Sequence, residues 1–366
     1  MRTREIAVIG GGPAGLSAAI WAAYCGGKVI LLEREDKLGG QLKKQTHKFF
    51  GSQKQYASNR GFDIGKILEK QIGEYRDQID ILTGATAIGY YEDGVLTFIH
   101  KKTYRKIKPE RLIVATGASE KFLAFPNNDL PGIYGGGAVQ TLMNEYGVKP
   151  GNNVLMVGAG NIGLIVSYQL MQAGVNVKAI IDAAPRIGGY LVHASKIRRK
   201  GVPILVSHTL KYAHGTDFVE GATIWELDEN WQPIYGSEKY IDADLICIAV
   251  GLSPIVEFLW QAGCQMKYVA ELGGHVPIRD RNLKTTVDKI YVAGDAAGIE
   301  EASSAMVEGR LAGISAAISL GYDSEEYIDL REDYIQQLNG LRNGPVGEKI
   351  LQGLDKVLIE GLEDAY

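Results

Sequence analysis

The start of the chain alternates between fully apolar runs and polar or glycine-rich breaks. The apolar run at residues 6–9 predicts a buried strand, and the glycines that follow it interrupt the run abruptly. Residues 16–24 are typical of a helix, and residues 28–32 predict a second strand that ends at Glu33. The chain is therefore predicted to begin with a β-α-β unit.

The same pattern returns in the middle of the chain. Residues 154–157 predict a strand, residues 164–172 a helix, and residues 175–181 a second strand that ends at Asp182. In both copies a glycine pattern joins the first strand to the helix, and the two patterns read Gly10-Gly11-Gly12-Pro13-Ala14-Gly15 and Gly158-Ala159-Gly160-Asn161-Ile162-Gly163.

Each glycine of this pattern has a physical reason. The first permits the tight turn, the second lets the backbone approach a pyrophosphate, and the third lets the helix pack on the strand. The helix N-terminus presents free N–H groups and a positive dipole end to the phosphates. Glu33 and Asp182 lie roughly 20 residues or slightly more past the first glycine, where a carboxylate can accept from ribose hydroxyls. Two complete units favour two dinucleotides, with electrons passing between them, over a pair of ordinary βα turns.

Further elements follow each unit. Their predicted ranges are a helix at 64–75, strands at 79–88, 94–100, 111–117, 245–251 and 290–295, an alanine-rich helix at 303–320, and surface helices in the charged segment 324–366. Because 366 residues are many for one compact core, two domains are expected.

Composition narrows the function classes. A formal net charge of -4 gives no electrostatic case for nucleic acid, and no apolar run of about 18 residues predicts a transmembrane helix. Nothing before the first strand resembles a signal peptide. The three cysteines form no CxxC, which predicts a reducing compartment, here the cytoplasm, and argues against disulfides. No metal-ligand spacing is present, and His47 and His193 are interpreted as structural residues.

Four motifs together resemble the two-dinucleotide flavoproteins of the pyridine nucleotide–disulfide oxidoreductase superfamily. They are residues 10–15, 115–117, 158–163 and 291–295. The resemblance implies an α/β fold with two Rossmann-like, three-layer domains, the second inserted in the first, and a short helical C-terminal tail. It implies an FAD-binding domain at residues 1–120 and 246–322, an NAD(P)H-binding domain at 121–245, and a tail at 323–366.

The glycine patterns and the resemblance together give the candidate cofactor-binding residues. Those for FAD are Gly10, Gly12, Pro13, Ala14, Gly15, Glu33, Arg34, Gly40, Gln41, Thr46, Ala87, Thr116, Gly117, Gly294, Asp295, Glu301 and Ala302. Those for NAD are Gly158, Gly160, Asn161, Ile162, Asp182 and Gly251. Because the cofactors carry the chemistry, no catalytic side chain and no metal ligand is assigned.

The chain departs from the superfamily at the redox cysteines. Neither residues 39–50 nor residues 135–142 contain a cysteine, so a thiol relay is not expected at the family's known positions. Cys25, Cys247 and Cys264 are interpreted as packing residues. Within the superfamily the chain is similar to the flavoprotein subunits of dye-linked L-proline dehydrogenase, opine oxidase, sarcosine oxidase and hydrogen cyanide synthase. That branch implies a homo- or hetero-oligomer, whose partner is a second flavoprotein or an iron–sulfur subunit.

The expected activity is hydride transfer between NAD(P)H and bound FAD, in the electron-transfer subunit of an amino-acid or amine dehydrogenase complex. Asp182 favours NAD(H) over NADP(H), because an acid repels the 2′-phosphate, although Arg186 could compensate. A free-standing NADH oxidase or ferredoxin or quinone reductase is an alternative. A non-catalytic, FAD-stabilised assembly module is a further one.

Overall fold

The computed structural model describes residues 5–49 and 51–359. Its strands, in chain order, are β1 (Ile6–Ile9), β2 (Val29–Leu32), β3 (Ile79–Leu82), β4 (Ala85–Tyr90), β5 (Leu96–His100), β6 (Thr103–Ile107), β7 (Arg111–Val114), β8 (Ala118–Glu120), β9 (Ile133–Gly135), β10 (Asn153–Val157), β11 (Asn176–Asp182), β12 (Ile204–Val206), β13 (His208–His214), β14 (Gly221–Glu226), β15 (Lys239–Asp242), β16 (Leu245–Ile248), β17 (Leu252–Pro254), β18 (Met266–Val269), β19 (Gly274–Pro277) and β20 (Ile290–Val292). Its α-helices are α1 (Pro13–Tyr24), α2 (Gly61–Ile72), α3 (Gly136–Asn144), α4 (Asn161–Gln172), α5 (Leu191–Arg199), α6 (Glu257–Gln261), α7 (Ala302–Ile318), α8 (Glu325–Leu341) and α9 (Pro345–Leu354).

These elements form two compact units. The first combines the chain up to Ser119 with the chain from Ser253 onward, and the second is the continuous segment Glu120–Leu252. The second unit is therefore inserted into the sequence of the first. This confirms the predicted α/β class with an inserted Rossmann-like domain.

The first unit is built on a parallel sheet with the strand order β20-β7-β1-β2-β3. The central strand β1 pairs Ile6 with Val29 of β2 on one side and with Arg111 of β7 on the other. All four residues of β1 are buried, as expected for a parallel strand that is covered on both faces.

Alternate residues of β1 enter two different cores. Ile6 and Val8 belong to the cluster that includes the buried faces of α1 and α7, whereas Ala7 and Ile9 pack with residues of β7 and β20 in a second cluster. This division follows from the two-residue period of a strand. Helix α1 begins at Pro13, four residues after β1 ends at Ile9, so its N-terminus lies near the carboxyl end of β1.

The second unit repeats this arrangement around β10. Its parallel sheet has the order β12-β11-β10-β16-β9, so β10, β11 and β12 correspond to β1, β2 and β3. Each unit also inserts a three-stranded antiparallel sheet before the strand that returns beside the centre, β4-β5-β6 in the first and β13-β14-β15 in the second. The two units differ in the origin of the fifth strand, since β20 follows its unit's other sheet strands along the chain and β9 precedes them.

The structure revises two of the predicted ranges. The second unit continues past residue 245 to Leu252, because β16 is hydrogen bonded to β10 within the second sheet. The helical segment after residue 322 is grouped with the first unit, and Tyr334 and Leu338 of α8 are buried in the core that includes α1 and α7.

Candidate functional site

The first glycine pattern forms the turn between β1 and α1. Gly10 has φ +106°, and a Cβ there would lie 2.2 Å from the Ala115 carbonyl oxygen. A Cβ at Gly15 would lie 1.7 Å from the Gly10 oxygen, so this position must be glycine for the helix to pack. Gly12 differs, because the nearest atom to a Cβ there, Gly40 Cα, would be 3.9 Å away. The backbone is therefore tight where the fold requires it and open at the middle glycine.

The second glycine pattern has the same geometry. Gly158 has φ +111°, and a Cβ there would lie 2.2 Å from the Ala249 oxygen. A Cβ at Gly163 would lie 1.9 Å from the Gly158 oxygen, whereas a Cβ at Gly160 would meet nothing within 4 Å. Helix α4 then begins at Asn161 without a side-chain cap, as α1 begins at Pro13 without one. Uncapped helix starts beside an open backbone fit the pyrophosphate of a dinucleotide.

The two acids predicted from the sequence lie against these turns. In the first unit, Glu33 is buried; its Oε2 accepts from the Gly11 N–H at 2.6 Å and its Oε1 from the Glu35 N–H at 2.7 Å. In the second unit, Asp182 Oδ2 accepts from the Ala159 N–H at 2.6 Å and Oδ1 from the Ala184 N–H at 2.9 Å.

In each unit the carboxylate accepts one hydrogen bond from the residue directly after the first glycine of the pattern. It accepts the other from the residue two positions after the acid itself. Each oxygen keeps acceptor capacity for a ribose hydroxyl. The donors, Gly11 and Ala159, are the variable position of the pattern, and sequence reasoning did not single them out.

The structure gathers several other predicted FAD residues around the first turn. Gly40, with φ +50°, begins a short 3-10 helix over Gly40–Lys44, and a Cβ there would lie 2.8 Å from Gly12 Cα. A Cβ at Gly294 would lie 2.8 Å from Ala14 Cβ. The turns at residues 40 and 294 therefore reach the glycine pattern from two different parts of the chain.

The remaining predicted FAD residues occupy more varied positions. Thr116 donates its hydroxyl proton to the Ile255 carbonyl oxygen at 2.7 Å, and Gly117 follows it with φ +77°. Glu301 is the N-cap of α7, which begins at Ala302. Gln41 is exposed and Thr46 half-buried.

The last two predicted FAD positions are Ala87 and Arg34. Ala87 lies on β4, whose Ala85 N–H donates to the Glu33 carbonyl oxygen at 2.8 Å. The Arg34 side chain is 73% exposed and its guanidinium lies 3.4 Å from Glu35.

The predicted NAD residues outside the positions already described also lie in the second unit. Asn161 Oδ1 accepts from the Tyr190 N–H at 2.8 Å, and Ile162 is exposed. Gly251, with φ +123°, follows β16, and its carbonyl oxygen accepts from the Lys121 N–H at 2.9 Å.

The turn that contains Asp295 is held by a carboxylate that sequence reasoning missed. The Gly294 N–H donates to Glu308 Oε2 at 2.9 Å, and Glu308 is 2% exposed on α7. Burial raises the pKa of Asp295 to about 7, and the charges of Glu308 and Glu300 act in the same direction. Glu308 is a charged residue inside an alanine-rich helix, and that position is the sequence signal that could have identified it. The structure shows that α7 is buried from Ser303 to Ala317.

All three cysteines are buried and unpaired. Burial raises the pKa of Cys25 to about 12 and also raises the pKa of Cys247 and of Cys264. A thiol with a raised pKa contributes almost no thiolate at neutral pH, and the thiolate is the reactive form. These residues therefore pack the core, as expected.

The described part of the chain sets two further bounds. Among residues 5–49 and 51–359, no group of three or more His, Cys, Asp or Glu could hold a metal ion. Within the same ranges, no helix has the length and apolarity needed to cross a bilayer.

Curated relatives cover most of the chain. The A subunit of opine oxidase from Agrobacterium tumefaciens is 26% identical over 347 residues, covering 86% of this chain and 66% of the relative. The HcnB subunit of hydrogen cyanide synthase from Pseudomonas protegens is 24% identical, covering 90% and 74%. The alpha subunit of sarcosine oxidase from a Corynebacterium species is 25% identical, covering 87% and 33%. The chain thus spans just under two thirds of its opine oxidase relative and one third of its sarcosine oxidase relative.

Solved structures show the same fold. Thioredoxin reductase of T. acidophilum superposes with a TM-score of 0.72 at 22% identity, covering 87% of this chain and 99% of that one. L-proline dehydrogenase of P. horikoshii gives 0.70 at 24% identity, covering 92% and 59%.

The sequence profile of the pyridine nucleotide-disulphide oxidoreductase family matches residues 4–309, which is most of the chain. Two glycine turns with docked acids, on two parallel sheets, are the structural counterpart of that match. The chain belongs to the pyridine nucleotide-disulphide oxidoreductase family, a family of oxidoreductases that bind FAD and use a pyridine nucleotide.

Proposed function

We propose that the first unit binds FAD, that the second binds NAD(P)H, and that a hydride passes between them without a redox disulfide. The observation that carries this proposal is the repeated geometry of an open glycine turn with a carboxylate docked on it, at Glu33 and at Asp182. The buried state of all three cysteines supports a route without a thiol.

The residues of the first unit would each hold a different part of FAD. The open backbone at Gly12 and the start of α1 would face the pyrophosphate, and Glu33 would accept from the adenosine ribose. Asp295 would bond the ribityl and pyrophosphate region. The N-terminus of α7 at Ala302 would stabilise negative charge on the reduced flavin.

The residues of the second unit would hold the pyridine nucleotide. Gly160 and the start of α4 would face its pyrophosphate, and Asp182 would accept from the ribose that carries the 2′-hydroxyl in NADH. Because a carboxylate repels the 2′-phosphate of NADPH, NADH is the proposed donor. Arg186 lies four positions further and is exposed, so it is available to offset that repulsion.

When bound, the two cofactors supply the hydride chemistry. The protein's contribution is to fix their positions, because orientation provides most of the acceleration in such transfers. No protein acid, base or nucleophile is assigned to the reaction.

We further propose that the chain works as the electron-transfer subunit of a complex that oxidises an amino acid or amine. The support is that the relatives from opine oxidase, hydrogen cyanide synthase and sarcosine oxidase are all named as subunits. The partner would be a second flavoprotein or an iron–sulfur subunit. Three unpaired thiols suit a reducing compartment, so the cytoplasm is the proposed location.

An anaerobic titration tests the proposal. The chain is loaded with FAD, and NADH or NADPH is added while the flavin absorbance is followed. We expect NADH to bleach the flavin with a clearly lower half-saturating concentration than NADPH. No bleaching by either nucleotide would contradict hydride transfer and favour an assembly module, and a large NADPH preference would contradict the assignment to Asp182.

Steady-state oxidation separates the complex from a free-standing enzyme. We expect the isolated chain to oxidise NADH slowly with oxygen. When an amine is the electron donor, we expect reduction of a dye to require the amine-oxidising partner. Rapid, sustained NADH oxidation by the chain and oxygen alone would favour an NADH oxidase.

A further inference from the structure

Helix α8 places an arginine in the interior of the first unit. Tyr334 and Leu338 bury one face of α8 in the core that includes α7, and the helix ends at its C-cap, Arg342. The Arg342 side chain is only 10% exposed. A buried guanidinium needs partners, because removing a charge from water is costly.

Arg342 bridges two buried carboxylates. Its Nη2 lies 2.7 Å from Glu300 Oε1 and 2.7 Å from Glu308 Oε1, and its Nε donates to Glu300 Oε2 at 3.1 Å. The side chains of Glu300 and Glu308 are 8% and 3% exposed. The positive charge of Arg342 offsets the repulsion between these two buried carboxylates.

Glu308 transmits this contact to the turn that precedes Asp295. Its Oε1 meets Arg342, while its Oε2 accepts from the Gly294 N–H at 2.9 Å. Gly294 has φ +70°, so the turn has a left-handed conformation that this hydrogen bond helps to fix. The connection therefore runs from α8 through one side chain of α7 to the Gly294–Asp295 backbone.

The fully buried Arg279 does not replace Arg342 in this role. It is 1% exposed and also favours the charged form of Glu308, but its Nη1 donates to the Pro277 carbonyl oxygen at 3.5 Å and its Nε has no hydrogen-bond partner. Direct hydrogen bonds to the Glu308 carboxylate come from Arg342 and Gly294.

We propose that Arg342 is a positioning residue for FAD, which holds Glu308 so that Glu308 fixes the Gly294–Asp295 turn in its cofactor-binding conformation. This rests on the proposed function, which assigns FAD to the first unit. Arg342 lies 33 residues beyond residue 309, where the family profile ends, so the segment outside the family match completes a contact inside it.

The test compares three variants of the 366-residue apoprotein. Arg342→Met removes the charge and the hydrogen bonds, Arg342→Lys keeps the charge, and Arg331→Met makes the same change at an arginine of α8 whose ion pair is with Glu332 at 3.8 Å. The Kd for FAD is measured by quenching of flavin fluorescence, and protection of the Gly294 amide by hydrogen exchange.

We expect Arg342→Met to weaken FAD binding by about tenfold or more, since hydrogen bonds to a charged group are lost. Exchange at Gly294 should accelerate, and Arg342→Lys should recover most of the affinity. Arg331→Met should leave the Kd within about twofold of wild type, because the ion pair of Arg331 is with Glu332 and not with Glu300 or Glu308. If Arg342→Met is too unstable to isolate, the same comparison between Arg342→Lys and Arg331→Met decides, with a loss of about threefold expected only at Arg342.

Unchanged FAD affinity and unchanged Gly294 exchange in the Arg342 variants would overturn the proposal, and so would an equal loss in Arg331→Met. Failure of the wild-type chain to bind FAD is a different result, because it would contradict the assignment of FAD to the first unit.

Discussion

At the scale of single residues, the two docked acids are the most informative feature of this chain. Glu33 and Asp182 each use both carboxylate oxygens to accept backbone N–H groups. These bonds fix the carboxylate before a ligand arrives, so less side-chain entropy is lost on binding. The same geometry in both units indicates one recognition principle used twice.

The acids give a matched pair of predictions. Glu33→Gln presents an NH₂ group to a backbone N–H, and should weaken FAD binding by about tenfold to a hundredfold, the loss of one or two hydrogen bonds to a charged group. Asp182→Asn should weaken NADH binding similarly and reduce discrimination against NADPH. Each variant should leave the other nucleotide within about twofold, because the two acids belong to different units and share no hydrogen-bond donor. Isothermal titration of the apoprotein with FAD, NADH and NADPH measures these effects, and a loss of the same ligand in both variants would contradict the assignment.

At the scale of elements, the contact between α1 and α7 determines how the first unit holds its glycine turn. Gly309 of α7 lies against the backbone of α1, where a Cβ would come within 2.1 Å of the Ala14 carbonyl oxygen. Gly313, one turn further along α7, would place a Cβ 2.4 Å from the Ala18 oxygen. Because Ala14 belongs to the glycine turn, the close helix approach sets the position of that turn.

Gly309→Ala should therefore separate the two helices. Overpacking of this kind costs about 1–3 kcal/mol, which lowers Tm by several degrees in a unit of this size. Gly340→Ala is the matched control, since a Cβ at Gly340 in α8 meets nothing within 4 Å. That change should stabilise the protein by about 0.4–1 kcal/mol through the unfolded state. Thermal unfolding of both apoproteins checks the prediction, and equal Tm values would show that the α1–α7 contact tolerates a methyl group.

At the scale of the whole molecule, the chain contains two units of similar architecture, and its three thiols are buried in their cores. Both parallel sheets have five strands and the same central order, and the cysteines at 25, 247 and 264 are buried in the cores. The family is named for disulfide chemistry, whereas all three cysteines of this chain are buried and form no disulfide.

This predicts that alkylation leaves the native protein unaffected. At pH 7 N-ethylmaleimide should modify none of the three thiols on the scale of minutes, because burial and raised pKa values suppress the thiolate. All three should react after denaturation. Flavin reduction by NADH should be the same before and after treatment of the native protein. Fast modification accompanied by loss of reduction would contradict the thiol-free route.

The local features of both units could be predicted from the sequence alone. The glycine turns, the strands around them and the acids at residues 33 and 182 were predictable, because tight backbone approach allows few residue types and buried parallel strands must be apolar. The long alanine-rich helix was predicted at residues 303–320 and spans Ala302–Ile318. The place of β16 in the second sheet was misjudged, since an apolar strand does not reveal which strand it pairs with.

The contacts that join distant segments emerge only in the folded chain. The charged segment after residue 322 is predicted to form surface helices. In the structure its Tyr334 is buried and its Arg342 donates a hydrogen bond to Glu308. No periodicity encodes that pairing, because the partners lie 34 positions apart and their burial depends on how α7 and α8 pack. Local sequence patterns specify elements and turns through short-range sterics, while the balance of buried charge depends on the folded arrangement of the whole unit.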